Sequence, residues 1–146
     1  MKFEKLQLYP MALKIAGRRC VVVGGGTIAE RKVLSLVQCQ ARVVVISPEV
    51  TPTLEDMAAS GTIGVARRRF EPADATGAVV MIAATDDRAV NESVKTAGNA
   101  AGALVNVVDV PDLCDFYVPA SLRRGDIQIT ISTGGACPAL AKRLRE

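Results

Sequence analysis

Short apolar runs alternate with helical patterns along most of the chain. The runs at 19–23, 41–47, 78–84 and 103–108 are mostly apolar, and a shorter one lies at 62–66. Strands that are buried on both faces of a parallel sheet have this nearly continuous apolar character. Between the runs, apolar residues recur at the three- and four-residue spacing of a helix face. The alternation predicts an α/β fold in which helices cover a parallel sheet.

Start and stop signals mark the helices between these runs. Thr51 and Pro52 form a predicted N-cap with proline at the first helical position. Gly61 and Gly102 are expected to end two helices. The first helix, which begins after Gly26, is expected to bury one face. The residues of that face are Ile28, Ala29, Val33, Leu36 and Val37.

The last part of the chain has a different pattern. Two further strands are predicted at 116–119 and 126–132, with residues 123–126 as the turn before the second. A basic helix is expected to open at Cys137 and Pro138 and to continue to the last residue. Because this helical pattern ends without a capping signal, we expect a C-terminal portion of the protein to be missing from the chain.

The first run ends in three glycines that open a helix. Gly24, Gly26 and Ala29 fit the pattern G-x-G-x-x-A, in which glycines permit a tight turn and the approach of a pyrophosphate. The free N–H groups of a helix N-terminus favour bound phosphates. The pattern predicts a Rossmann-type doubly wound parallel sheet that binds a dinucleotide, although a plain glycine-rich turn is the simpler alternative. The residues expected to contact the cofactor here are Gly24, Gly26, Thr27 and Ile28.

One part of the dinucleotide pattern is absent. An acid that binds the ribose hydroxyls is expected at the end of the second strand, about 20 residues after the glycines. Ser47 and Pro48 stand there instead, and Glu49 follows. We expect either Ser47 with backbone groups to hold the ribose or Glu49 to reach back to it. No arginine stands there for a 2′-phosphate, which favours NAD over NADP, and the missing acid weighs against S-adenosylmethionine.

Polar residues follow the fourth and fifth strands, at the edge where open α/β sheets bind ligands. Thr85 and Asp86 are expected to line the cofactor, and helix capping explains them equally well. Asn106 and Asp109 reach the same edge after the fifth strand. Partial burial could raise the pKa of Asp109 toward that of a useful general base. A loop aspartate that makes a turn with Pro111 is the plainer explanation.

Composition narrows the chemistry open to such a site. The 146 residues contain no histidine, which removes histidine triads, histidine-ligated zinc and histidine acid–base catalysis. The four cysteines form no C-x-x-C pair, so no metal site is expected, and we expect reduced, mostly buried thiols. With a net charge of +3 and 3% aromatic residues, nucleic acid is not an expected partner. Reduced cysteines and the lack of a signal peptide or long apolar span predict a cytoplasmic location without membrane insertion.

Basic residues gather in the last part of the chain. Arg123, Arg124 and the basic last helix suit a substrate with several carboxylates, although a solvated basic helix is the plainer explanation. The loop at 132–136 lies between a strand and a helix N-terminus, where backbone N–H groups can hold an anion. The basic triplet at 67–69 is expected to be a solvated edge.

Five segments, in this order, resemble those of one enzyme family. They are YP at 9–10, GGGTIAERK at 24–32, AATDD at 83–87, NVVD at 106–109 and STGGACPALA at 132–141. Together they resemble the precorrin-2 dehydrogenase family, which includes the N-terminal part of siroheme synthase, and they extend over nearly the whole chain. The later segments are much more specific than the glycine turn.

The resemblance implies oxidation of precorrin-2, a tetrapyrrole, to sirohydrochlorin with NAD⁺ in siroheme synthesis, and insertion of Fe²⁺ in some members. It implies an NAD-binding Rossmann domain at 1–112 and, at 113–146, the start of a dimerisation and substrate region, hence a homodimer. In the family pattern Asp109 is the general base. The residues expected to bind substrate are Asn106, Thr133, Arg123 and Arg124.

A second hypothesis comes from a different functional class. A nucleotide-sensing Rossmann module without catalysis, like the regulatory domains of ion-transport systems, has a similar length. Such modules usually carry the ribose acid that is absent here, and they have no use for the segments at 106–109 and 132–141. A domain that serves only as a partner surface would leave the glycine turn unexplained.

Overall fold

The computed structural model describes residues 6–146. Two compact units divide this part of the chain. We name Lys14–Phe116 the sheet domain, and residues 6–13 together with Tyr117–Glu146 the hairpin unit. The predicted boundary lies after residue 112, and the roles assigned to its two sides stay predictions.

Five parallel strands form the sheet of the sheet domain. The strands are β1 (Arg19–Val23), β2 (Arg42–Ile46), β3 (Gly64–Ala66), β4 (Val80–Ala83) and β5 (Leu104–Val107). Their spatial order is β3-β2-β1-β4-β5, so β2 and β3 lie on one side of β1, and β4 and β5 lie on the other. The Rossmann-type parallel sheet predicted from the sequence is confirmed.

Helices cover both faces of this sheet. They are α1 (Thr27–Gln38), α2 (Pro52–Ala59) and α3 (Arg88–Ala100). Cys20 and Val22 of β1 pack in one core with buried residues of α1 and α2. Val21 and Val23 point to the opposite face and pack in a second core with α3. None of the helices within residues 6–146 has the length and apolar character needed to span a membrane.

Local signals set the helix ends as predicted. The Thr51 hydroxyl oxygen accepts the Leu54 N–H at 3.3 Å and caps α2. The same hydroxyl donates to a Glu30 carboxylate oxygen at 2.5 Å, which ties the start of α2 to α1. Gly61 and Gly102 follow α2 and α3 with φ of +77° and +79°, a conformation that favours glycine.

The segment that follows β5 closes the outer edge of that strand. The Asp115 N–H donates to the Val105 carbonyl at 2.7 Å, and the Asp115 carboxylate accepts the Val105 N–H at 2.9 Å. The Cys114 thiol lies between the N–H and the carbonyl of Val107, at 3.3 and 3.2 Å. Because unpaired strand edges invite aggregation, this closure protects the sheet. It also fixes both ends of the intervening loop.

The hairpin unit contains two antiparallel strands and one helix. Its elements are β6 (Ala120–Arg124), β7 (Ile127–Ile131) and α4 (Pro138–Arg145). The α4 helix contacts both strands. It opens with proline at its first position, as predicted, and the Cys137 side chain does not cap it. The Thr133 hydroxyl instead accepts the Cys137 N–H at 2.8 Å.

The strand predicted at 116–119 is wrong. Residues 116–119 form no strand, and β6 begins only at Ala120. Pro119 has no N–H to donate to a ladder, and the Phe116 carbonyl is already bound by the Asn106 amide at 2.9 Å. The predicted turn is also too early, because residues 123–124 belong to β6.

The expectation of mostly buried cysteines is wrong as well. Only Cys20 is buried, and burial raises the pKa of its thiol to about 11. Cys114 is partly buried, which raises its pKa too. Cys39 and Cys137 are exposed, on an outer helix end and on a loop, where apolar neighbours along the sequence do not produce burial.

Candidate functional site

A cleft of about 690 Å³ opens at the carboxyl ends of β1, β2 and β4. It lies where the strand order reverses, because β2 and β4 flank β1 on opposite sides. Open α/β sheets bind their ligands at this position. Every residue predicted to bind cofactor lines the cleft, although cofactor binding by each one stays a prediction. These residues are Gly24, Gly26, Thr27, Ile28, Ser47, Pro48, Glu49, Thr85 and Asp86.

Gly24 makes the tight turn that leads out of β1. Its φ is +123°, and its N–H donates to the Ile46 carbonyl at 3.0 Å. A Cβ at this position would lie 2.3 Å from the Ala84 carbonyl oxygen. The first glycine of the pattern is therefore required by the fold itself.

Gly25 lets the loop after β2 approach the glycine turn. A Cβ here would lie 1.9 Å from the Glu49 carbonyl oxygen and 2.8 Å from the Ser47 hydroxyl oxygen. The Gly25 carbonyl accepts the Thr51 N–H at 2.9 Å. The middle glycine was missed as a site residue, because its constraint comes from a loop more than 20 residues away.

Gly26 faces open space at the start of α1. A Cβ at Gly26 would meet no atom within 4 Å, and no side chain caps the helix there. The first N–H groups of a helix have no acceptor within the helix and carry a partial positive charge. Open space, free donors and a small residue together fit a pyrophosphate. The residues present therefore fit a dinucleotide.

Ser47 and Glu49 stand where the ribose acid is absent. The buried Ser47 hydroxyl donates to the Glu49 carbonyl at 2.6 Å, so its oxygen can still accept a hydrogen bond from a ribose hydroxyl. The Glu49 side chain is exposed in the lining of the cleft. Both sequence alternatives for holding the ribose are thus compatible with the geometry.

Thr85 and Asp87 have structural roles at the start of α3. The Thr85 hydroxyl donates to the Asn91 side-chain oxygen at 2.6 Å, and the Asn91 amide donates back to the Thr85 carbonyl at 3.0 Å. The Asp87 carboxylate caps α3 by accepting the Val90 N–H at 3.2 Å. Capping and cleft lining therefore coexist in this segment, since Thr85 and Asp86 also line the cleft.

Ile28 lies in the cleft and not in the core. The sequence places it on the buried face of α1, but its residue surface is 40% exposed. In the first turn of α1, this direction points past the end of the sheet toward the cleft. The burial prediction for Ile28 is wrong, whereas Ala29 and Val33 are buried as expected.

The basic triplet that follows β3 is not a uniform solvated edge. Arg67 pairs with Glu55, and Arg68 forms a bidentate pair with Asp74 at 2.6 and 2.8 Å. The Arg68 guanidinium lowers the pKa of Asp74 below its usual value. Arg69 lines the cleft together with Phe70. Sequence reasoning missed both residues, since only the pairing of β3 with β2 brings them to the cleft.

Asp109 lies on an exposed turn after β5. Its φ is +63°, and the Val110 N–H closes the turn by donating to the Val107 carbonyl at 3.1 Å. Asp109 is exposed, so the partial burial considered for it is not found, and the simpler alternative of a loop aspartate in a turn agrees with the structure. Asp109 does not belong to the lining of the cleft. Within residues 6–146, no group of three or more acidic, cysteine or histidine side chains is placed to hold a metal ion.

Asn106 and Asp115 hold the loop that carries Asp109. The buried Asn106 side chain donates to the Phe116 carbonyl, which binds the chain after the loop back to β5. Partial burial would raise the pKa of Asp115, but hydrogen bonds from Lys95 and the Val105 N–H outweigh it and lower the pKa. Asn106 thus has a structural partner already, and its predicted contact with substrate stays a prediction.

Arg123, Arg124 and Thr133 belong to the hairpin unit. The two arginines are exposed on β6, and Arg123 donates to the Gln128 side chain at 3.2 Å. In the loop at 132–136, the Gly134 N–H donates to the Ser132 hydroxyl at 3.2 Å. Together with the bond from Cys137 to Thr133, this commits two N–H groups that an anion would otherwise use.

Comparison with known proteins shows that the chain is similar to proteins of siroheme synthesis. A family described as putative NAD(P)-binding matches residues 11–120, and one described as sirohaem biosynthesis protein central matches residues 124–146. The first supports the predicted nicotinamide dinucleotide, in either its NAD or its NADP form.

Curated relatives of the chain agree with these family matches. The siroheme synthase of Methylobacillus flagellatus is 46% identical over 140 residues, which cover 96% of this chain and 30% of the relative. The siroheme synthase of Methylococcus capsulatus is 45% identical over 136 residues, which cover 93% of this chain and 29% of the relative. The chain thus spans about 30% of the length of these relatives.

The solved structure described as SirC, precorrin-2 dehydrogenase, superposes with a TM-score of 0.84. It is 34% identical, and the match covers 94% of this chain and 68% of that chain. The NAD(P)-binding family match at 11–120 contains the whole sheet domain, and the sirohaem match at 124–146 lies in the hairpin unit. The chain belongs to the precorrin-2 dehydrogenase family, which includes the N-terminal part of siroheme synthases.

Proposed function

We propose that this chain carries out the NAD-dependent oxidation of precorrin-2 to sirohydrochlorin in siroheme synthesis. The observation that carries the proposal is the cleft at the switch point of the sheet, which the predicted cofactor residues line in a precorrin-2 dehydrogenase fold. The open space in front of Gly26 and the free N–H groups of α1 support a dinucleotide there.

The cofactor, when bound, supplies a hydride acceptor for a carbon of the macrocycle. The chain's own residues first orient the cofactor in the cleft. The first turn of α1 holds the pyrophosphate, and Ser47 or Glu49 accepts hydrogen bonds from the ribose hydroxyls. Thr85 and Asp86 line the same cleft at the end of β4. We propose NAD as the physiological acceptor, because the segment directly after β2 holds no arginine and carries Glu49, whose carboxylate favours ribose hydroxyls over a 2′-phosphate.

Asp109 is the proposed general base. Loss of a hydride from the macrocycle must be accompanied by loss of a proton, and in a chain without histidine a carboxylate is one of the side chains that can accept it. The Asp109 carboxylate is exposed at the carboxyl edge of the sheet. Its loop is fixed at both ends, by the turn at Val107 and by the bonds of Cys114 and Asp115 to β5. This support holds the carboxylate in a defined place while leaving it accessible to a substrate.

The hairpin unit supplies most of the residues proposed to bind substrate. Precorrin-2 is a polycarboxylate, and the exposed guanidiniums of Arg123 and Arg124 suit carboxylate binding. Thr133 and Asn106 complete the proposed substrate contacts. Each keeps part of its hydrogen-bonding capacity after its structural bond is made.

We also propose that the chain is a homodimer. In the hairpin unit, Ile127, Ile129 and Leu144 are more than half exposed. Exposed large apolar residues in one small unit support an interface with a second copy. Light scattering coupled to size-exclusion chromatography should give twice the mass of the 15.4 kDa chain. A monomer at high concentration would contradict this part of the proposal.

Paired aspartate variants test the proposed catalytic role. Asp109→Asn should lower kcat/KM for precorrin-2 by about a hundredfold or more, which is typical for loss of a general base. NAD⁺ affinity should stay unchanged, because Asp109 does not line the cleft. The matched control is Asp112→Asn, an exposed aspartate of the same loop, which should keep its activity within about twofold.

The outcomes separate the competing hypotheses. Full oxidation by Asp109→Asn would exclude the proposed role of this residue. Equal losses in both variants would point to the loop as a whole. NAD⁺ binding without any oxidation by the dimeric wild-type chain would favour the nucleotide-sensing module. Repeating the oxidation with Fe²⁺ tests the ferrochelation that occurs in some members of the family.

A cytoplasmic location is part of the same proposal. The four cysteines are free thiols, and the buried Cys20 has no partner for a disulfide. Reduced thiols are typical of cytosolic proteins. Cell fractionation should place the chain in the cytosolic fraction, and recovery of a disulfide-linked secreted form would contradict this location.

A further inference from the structure

The arginines that follow β3 lie beside the loop that follows β2. The two strands are parallel neighbours, and Ile46 pairs with Ala66 at their carboxyl ends. The Ser47 N–H donates to the Ala66 carbonyl at 3.1 Å, which holds the two exits together. A residue shortly after Ala66 therefore reaches the part of the cleft where a Rossmann fold binds the adenosine ribose.

Only the third arginine of the triplet faces the cleft. Arg67 is engaged by Glu55 and Arg68 by Asp74, so these two guanidiniums support the fold. Arg69 is exposed and lines the cleft. In the described part of the chain, no carboxylate lies within 4.0 Å of the Arg69 guanidinium. A cation in this position is available for a ligand.

The neighbouring residues complete a site for a phosphate. The acid that selects the 2′-hydroxyl of NAD and repels a 2′-phosphate is replaced by Ser47. A nearby arginine accommodates the 2′-phosphate in Rossmann folds that take NADP. Glu49, which also lines the cleft, carries a charge opposite to that of Arg69. Its carboxylate favours ribose hydroxyls and disfavours a phosphate.

We propose that Arg69 recognises the 2′-phosphate of NADP, so that the cleft binds NADP as well as NAD. Arg69 and Glu49 then set the ratio of the two affinities by opposite charge. The inference rests on the proposed function, because it requires a dinucleotide in the cleft. It assigns a specific task to a side chain that makes no ion pair within residues 6–146.

Isothermal titration calorimetry with NAD⁺ and NADP⁺ tests the proposal independently of catalysis. The wild-type chain should bind NADP⁺ with an affinity within about tenfold of that for NAD⁺. Arg69→Gln should weaken NADP⁺ binding by about tenfold or more, the loss expected for charge-assisted hydrogen bonds, and should change NAD⁺ binding by less than about twofold. Glu49→Gln should shift the ratio of affinities toward NADP⁺.

Arg67→Gln is the matched control. It removes an arginine from the same triplet that pairs with Glu55 outside the cleft, so both affinities should stay within about twofold of wild type. Increasing salt should weaken NADP⁺ binding to wild type more than to Arg69→Gln.

Each result decides between the two proposals. Equal losses for NAD⁺ and NADP⁺ in Arg69→Gln, or none, would overturn the role of Arg69 while leaving the dinucleotide site intact. NADP⁺ binding by wild type more than a hundredfold weaker than NAD⁺ binding would overturn it as well. Failure of wild type to bind either dinucleotide would overturn the proposed function together with this inference.

Discussion

Two neighbouring glycines after β1, Gly25 and Gly26, are expected to respond very differently to alanine. Gly25→Ala would place a Cβ 1.9 Å from the Glu49 carbonyl oxygen, far inside the 3.4 Å of an ordinary contact. The loop after β2 must then move. The hydrogen bonds at risk are Ser47 to Glu49 at 2.6 Å and Thr51 to Gly25 at 2.9 Å.

The cost of Gly25→Ala follows from these contacts. Overpacking of a tight contact costs about 1–3 kcal/mol, and each lost hydrogen bond adds about 1 kcal/mol. With one of the two bonds lost, we expect the free energy of unfolding to fall by roughly 2–4 kcal/mol. Gly26→Ala should cost under about 1 kcal/mol, because its Cβ meets no atom within 4 Å and its backbone is extended.

Urea unfolding followed by circular dichroism measures both stabilities, and calorimetry measures NAD⁺ affinity. Gly26→Ala should remain folded yet lose NAD⁺ affinity by at least about tenfold, since the added methyl group occupies the space proposed for the pyrophosphate. Equal stability of the Gly25→Ala variant and wild type would refute the packing argument. Unchanged NAD⁺ affinity in Gly26→Ala would refute the proposed position of the cofactor.

Two further predictions concern stability. The pKa of Asp115 is lowered in the folded chain, so the stability that its carboxylate contributes is present above its unfolded pKa of about 4 and disappears as the pH falls through the folded value. Asp115→Asn should therefore lower the free energy of unfolding by about 1 kcal/mol at pH 7 and by less at lower pH. A difference between the variant and wild type that stays constant in urea unfolding across this pH range would contradict this prediction. Gly98→Ala places a Cβ 2.4 Å from a Val105 methyl group and should lower the free energy of unfolding by about 1–3 kcal/mol. The control is Gly64→Ala, whose Cβ has its nearest contact at 3.7 Å, and it should change the free energy of unfolding by less than about 0.5 kcal/mol in the same assay.

Local sequence patterns were sufficient for much of the fold. The apolar runs predict all five strands of the sheet, and Thr51 with Pro52 predicts the start of α2, because both depend on neighbours along the chain. The glycine pattern predicts the cleft for the same reason. Failures occur where a distant segment decides, as at residues 116–119, where Asn106 and Pro119 prevent strand pairing.

The same limit applies to predicting the residues of the candidate site from the sequence. The residues that follow β1, β2 and β4 were found because the ends of these strands are recognisable and meet at one edge. Arg69 was not found, because its place in the cleft depends on which neighbouring strand β3 joins and on which arginines Glu55 and Asp74 engage. The exposure of Asp109 depends on a left-handed turn that an aspartate tolerates and that hydrophobic patterns do not predict.

Oxidation of precorrin-2 by the wild-type chain is the direct test of the proposed dehydrogenase activity. Precorrin-2 is generated in situ and mixed with the chain and NAD⁺, and absorbance follows sirohydrochlorin and NADH together. Both products should form in equal amounts, and Gly26→Ala should slow their formation together. NAD⁺ binding in calorimetry without formation of either product by the dimeric chain would exclude the proposed oxidation.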